Sequence, residues 1–247
     1  MAGVLLEAVD LRPEALSVEH QALQLSVGAG QVLTLLGESA QQVSAWVACL
    51  AGLEDAAQGE VLFKGCAVNA LDKSGWQAMR THMAFLDRNS RLLSVQTLLN
   101  NVVLPAAYHR LGERDALLER ARHMLDELGV EPEHFDLLPA YVDQYAYTAA
   151  LMVRVLLMNP KVILLDDFLR LYNRSAGNAL LSYMLNHVRE QQMAAIIHNH
   201  DVGQLLTQHN RAIYFGHDDI ICFDPASDMR SIGEERIQRM LGNVYLS

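Results

Sequence analysis

Two short segments of this chain are apolar at every position and then turn abruptly polar. Val162-Ile163-Leu164-Leu165 runs into Asp166-Asp167, and Ala194-Ala195-Ile196-Ile197 runs into His198-Asn199-His200-Asp201. A strand covered on one face alternates apolar and polar residues, whereas one that is apolar throughout is buried on both faces, as in a parallel sheet. The stretch between them, Ser175 to Gln191, reads as a helix, and strand, crossover helix, strand is the unit from which parallel sheets are built. The chain is thereby constrained to an α/β fold with a mostly parallel core sheet. In such folds the carboxyl ends of the strands hold the functional site, which is where Asp166 and Asp167 stand.

The remaining elements fit around that core. Val4–Val9 and the alternating Ala22–Val27 read as strands of an N-terminal antiparallel β unit. A further apolar strand, Val32–Leu36, ends at Gly37. A helix follows, turning Val43, Trp46, Val47, Cys49 and Leu50 toward a core and stopping at Gly52. The middle of the chain is helical. Glu113–Leu128 places Leu117, Leu118, Ala121, Met124, Leu125 and Leu128 at helical spacing before Gly129, and Asp143–Met158 ends before Pro160. No repeat or linker divides the chain, so 1–247 is expected to be one domain, with a helical subdomain inserted at about 88–158.

Composition narrows the function. With 51% hydrophobic residues the 247-residue chain can bury a large core. Its 19 basic against 29 acidic residues give a formal charge of −10, which argues against a nucleic-acid partner. Cys49, Cys66 and Cys222 form no C-x-x-C pair, and a reducing, cytoplasmic compartment is the expectation. The N-terminus lacks the look of a signal peptide, and no apolar run reaches the roughly 18 residues that span a bilayer.

The order of these pieces, over nearly the whole chain, resembles the nucleotide-binding domain of ATP-binding-cassette (ABC) transporters, a P-loop NTPase-type fold. In that family a strand leads into G-x-x-x-x-G-K-[S/T], whose backbone N–H groups and lysine hold phosphate. The matching segment here is Gly37-Glu38-Ser39-Ala40-Gln41-Gln42-Val43-Ser44. Gln42 stands at the second glycine and Val43 at the lysine, while Ser44 keeps the magnesium-binding hydroxyl. The signature L-S-G-G-Q becomes Val142-Asp143-Gln144-Tyr145-Ala146, which loses both glycines and places an acid where a partner's γ-phosphate would face a serine.

The resemblance assigns other positions in turn. Asp166 aligns with the aspartate that orients magnesium, and Asp167 with the catalytic glutamate, one methylene longer. Arg88 falls at the glutamine loop, Asn173 at the D-loop aspartate and His200 at the switch histidine. The adenine-stacking aromatic has no counterpart, since 9–21 contains no Phe, Tyr or Trp. Asn101-Val102-Val103-Leu104-Pro105 is similar to the phospholipid-trafficking and cell-division branch of the family.

What the resemblance implies is a cytoplasmic subunit, peripheral on the inner face of a membrane, that docks on an integral-membrane permease. It would pair with an intact ABC ATPase or with a second copy of itself. Eroded motifs imply little or no ATP hydrolysis, with Asp166, Asp167 and His200 as vestigial catalytic positions and no resident cofactor. ATP and magnesium, the latter on Ser44 and Asp166, enter only if the chain is an active though atypical ATPase. A soluble regulatory protein that borrowed the fold is the third reading.

Overall fold

The computed structural model describes residues 3–16, 21–169, 174–198, 211–216 and 219–224. Asn173 and His200 lie outside them. Strand β1 (Val4–Pro13) pairs antiparallel with β2 (Leu23–Gly28) and with β4 (Ala56–Phe63), and β4 with β5 (Cys66–Ala67), giving a four-stranded sheet ordered β2-β1-β4-β5. The alternation read in Ala22–Val27 is realised here: Leu23, Leu25 and Val27 are buried while Gln24 and Ser26 are exposed.

The second sheet is the α/β core. Beside β3 (Val32–Gly37) run β6 (Met83–Asp87), β7 (Val162–Asp166), β8 (Ala194–His198), β9 (Arg211–Phe215) and β10 (Ile220–Phe223), in the order β10-β9-β3-β8-β7-β6. Every pairing among β9, β3, β8, β7 and β6 is parallel, and only the edge strand β10 runs antiparallel. Strand alternation explains why β7 and β8 are apolar throughout. Val162, Leu164, Ala194 and Ile196 face one hydrophobic cluster, and Ile163, Leu165, Ala195 and Ile197 face the other. By the same parity Asp166 and His198 continue the row of Val162, Leu164, Ala194 and Ile196.

Helix α1 (Ala40–Leu50) packs on that first face, together with the antiparallel sheet. It ends where the sequence places its stop. Gly52 has φ +66, and a Cβ there would lie 2.5 Å from the ring of Trp76, on the short helix α2 (Lys73–Arg80). The opposite face is covered by α5 (Gln144–Leu157) and α6 (Arg174–Glu190), with α3 (Leu98–Tyr108) and α4 (Arg114–Glu127) packed against α5. The α3–α4–α5 layer enters the chain between β6 and β7. It is tied to α6 by the Tyr183 hydroxyl, which donates to Glu127 Oε2 at 2.9 Å. Among the described residues no helix is long and apolar enough to cross a membrane.

Candidate functional site

The turn from β3 into α1 carries the phosphate-loop positions, and its conformation is tight. Ser39 caps the helix, accepting from Gln42 N at 3.4 Å, so α1 begins at Ala40 and only Glu38 and Ser39 separate it from the strand. Three N–H groups that a phosphate loop would aim inward are used within the protein. Glu38 N donates to Phe215 O, Gln42 N to the Ser39 hydroxyl and Val43 N to Ser39 O. Val43 is fully buried, and its Cγ2 lies so close over Gly37 that a Cβ on the glycine would approach it to 2.6 Å. The isopropyl group is thus packed on the base of the loop at the position where the resemblance would place a lysine.

The end of β9 grips the same turn. Gln42 Nε2 donates to Gly216 O at 3.0 Å, the Tyr214 hydroxyl donates to Glu38 Oε1 at 3.2 Å, and the Trp46 and Phe215 rings stack with centroids 5.0 Å apart. Sequence alone marks Gln42 as a lost glycine. Its positive role, tying α1 to β9, depends on a pairing 174 residues away and has no local signal.

Strand parity and register assemble the polar centre. In the parallel β7–β8 ladder Asp166 is level with His198, and both side chains continue the row that faces α1. The Ser44 hydroxyl donates to Asp166 Oδ1 at 2.8 Å, and His198 Nδ1 lies 2.8 Å from the same oxygen. A carboxylate only accepts, so Nδ1 carries the proton of that bond. Sequence reasoning weighs His198 only beside His200, as an improbable metal pair, and misses its bond to Asp166, although a signal was present: the four-residue apolar runs before Asp166 and before His198 are equal in length.

Asp167 parts company with Asp166. It takes a left-handed conformation (φ +50), donates its N–H to His198 O at 2.8 Å, is buried, and lines a separate cavity of about 410 Å³. Arg88, Val142, Asp143 and Gln144 line that cavity too, so the structure brings together Asp167, the glutamine-loop position and the start of the signature segment. Asp143 is the N-cap of α5, its Oδ1 accepting from Ala146 N at 2.7 Å, while Tyr145 donates its hydroxyl to Leu128 O at 2.7 Å. Ala146 is buried against the helical layer. The acid at 143, read in the sequence as repelling phosphate, has a local structural task as well.

A model of the family described as "ABC transporter" matches residues 20–170. The chain belongs to the ABC transporter family. Among its relatives, the glutathione import ATP-binding protein GsiA of Salmonella paratyphi A is 29% identical over 176 residues, covering 70% of this chain and 28% of GsiA. The methionine import ATP-binding protein MetN of Bartonella henselae is 24% identical over 180 residues, 73% of this chain and 52% of MetN. The macrolide export ATP-binding/permease protein MacB of Shigella dysenteriae serotype 1 is 28% identical over 230 residues, 91% of this chain and 35% of MacB. The chain thus spans between about a quarter and about half of the length of these curated relatives. Among solved structures, the bacterial ABC transporter cassette MJ0796 in its dimeric form superposes with a TM-score of 0.78 at 18% identity, covering 90% of this chain and 99% of that one. CbiO1 from Clostridium perfringens gives 0.78 at 15%, with 97% and 99% covered. The ABC fold read from the sequence is therefore the observed one.

Within this ABC frame the residues present do not fit the nucleotide that the family implies. A triphosphate needs converging N–H donors and a cation, whereas here three of the loop's N–H groups are used internally, valine fills the lysine position and Glu38 adds negative charge. Ser44 and Asp166 remain as a magnesium-type pair, but Asp166 Oδ1 already accepts two hydrogen bonds. Among the described residues no group of three or more His, Cys, Asp or Glu could hold a metal ion.

Proposed function

We propose that this chain is the cassette subunit of a transport complex, docked on an integral-membrane permease at the inner face of the membrane, and that it binds and hydrolyses little or no ATP. The observation that carries this reading is Val43, buried on Gly37 within a loop already wound into α1. Names of relatives support the transport setting, since GsiA and MetN are called import ATP-binding proteins and MacB joins an ATP-binding part to a permease.

The helical segment at about 88–158 supplies the docking face. A cavity of about 350 Å³ between the α/β core and the helical layer is walled by Leu53, Met79, Phe85, Pro105, Val155 and Met158, and Leu104 and Tyr108 on α3 are exposed. The lipid-handling reading rests on the Asn101–Pro105 pattern alone. Asn101 has a structural explanation, because its buried amide brackets the loop before α3 through Leu93, Gln96 and Thr97. The partner cassette is an intact homologue or a second copy.

Calorimetric titration of the purified protein with ATP and magnesium tests the proposal, with no saturable binding expected. Micromolar affinity would sink it in favour of an active, atypical ATPase, for which the retained Ser44–Asp166 bond speaks. Co-purification from membranes with a permease is the companion result. Recovery without any membrane subunit would point instead to a soluble regulatory protein.

A further inference from the structure

Ser44 and Asp166, the two positions that the family would use on magnesium, are hydrogen-bonded to each other, and a histidine shares the same carboxylate oxygen. We propose that His198 takes up, from within the chain, the flank of Asp166 on which a magnesium ion depends, so that Ser44, Asp166 and His198 form a closed polar cluster in place of a cation site. The inference rests on the reading above that the nucleotide site is degenerate, and adds to it the group that blocks the metal.

Three observations carry it. The β7–β8 register sets Asp166 level with His198, and strand parity sends both side chains toward α1, so their meeting is dictated by the backbone rather than by a flexible contact. The imidazole is buried, with its side chain 6% exposed against 15% for Asp166, so water is largely excluded from the bond. Nδ1 and the Ser44 hydroxyl converge on one oxygen at 2.8 Å each, which satisfies that oxygen before any ligand arrives. Magnesium keeps several waters and demands a near-octahedral shell at about 2.0–2.1 Å. An ion that used Oδ1 would have to displace both donors from a half-buried carboxylate, which costs two hydrogen bonds before any metal bond is gained. Val43 closes the phosphate half of the site and His198 closes the cation half, from opposite ends and by unrelated means.

Manganese, which favours the same oxygen ligands as magnesium and is visible by electron paramagnetic resonance, is the probe. The full-length wild-type chain should show no saturable Mn²⁺ binding into the millimolar range without nucleotide, whereas His198→Val should tighten binding by roughly tenfold or more. Adding Asp166→Asn to that variant should remove the gain. Saturable sub-millimolar binding by the wild type, or equal affinity in wild type and His198→Val, overturns the proposal. The second outcome leaves the closed phosphate loop standing, because that loop is read separately by the ATP titration. Should His198→Val fail to fold, ¹⁵N spectra of the wild type decide: the His198 Nδ1 proton is expected to exchange slowly with solvent, and a rapidly exchanging proton overturns the proposal.

Discussion

At the scale of single residues, the substitutions that make this ABC cassette unusual are built into its packing. Restoring the lysine by Val43→Lys should not restore ATP binding. It should instead destabilise the fold by on the order of 3–5 kcal/mol, because the new ammonium would be buried without a partner, and urea denaturation measures this. Asn101 gives a second test. Its amide makes hydrogen bonds to the backbone of Leu93, Gln96 and Thr97, and Asn101→Ala should cost about 1–3 kcal/mol by leaving those groups unpaired, with faster hydrogen exchange at Leu93 N as the local signature. In the sequence Val43 was legible only as a loss and Asn101 only as part of a family-like pattern. That Val43 departs from the motif is visible in eight consecutive residues, but that it packs on Gly37 needs the turn itself. The pairing of His198 with Asp166 was missed because it lies with a neighbour on another strand.

At the scale of elements, sequence reading succeeded where burial pattern and end signals agree. The all-apolar β7 and β8, the alternating β2, and α5 bounded by Asp143 and Met158 were all recoverable, since each is fixed by local periodicity and a cap. The start of α1 was harder, because Gly37–Ser44 reads as a loop through its family likeness while Ser39 is an ordinary cap that lets the helix begin early. The cap on α5 is testable. Asp143→Ala should lower stability by about 1 kcal/mol in thermal or chemical denaturation, and Asp143→Ser should be nearly neutral. The junction of α4 and α6 carries a pH dependence. His187 stacks near Tyr183, and its pKa is lowered by burial and by Arg120, against the opposing pull of Glu190 and Glu127. His82, beside Lys64 and Lys161, is lowered too, again chiefly by burial. A histidine with a folded pKa below its unfolded value of 6.5 binds fewer protons folded than unfolded. Its contribution is therefore complete above about pH 6.5 and is lost as pH falls through the folded value. Denaturation midpoints should drop between pH 7 and pH 5, and His187→Gln should flatten, without abolishing, that slope.

At the scale of the whole molecule, the parallel sheet is covered on both faces, and the polar groups at its carboxyl end are hydrogen-bonded to one another. If the helical layer serves as the docking face, then Leu104→Asp paired with Tyr108→Asp should abolish co-purification with a permease and leave the thermal melt nearly unchanged, since both side chains are exposed. The early start of α1 has a further consequence for any attempt to restore the loop. Reopening the loop requires unwinding a helical turn, releasing Gln42 from Gly216 and removing a buried side chain, and none of these steps alone gains a phosphate contact. If the loop is closed as proposed, each single reversion loses packing before it gains a ligand, so single substitutions in Gly37–Ser44 are expected to leave ATP binding absent and only combined changes to create it.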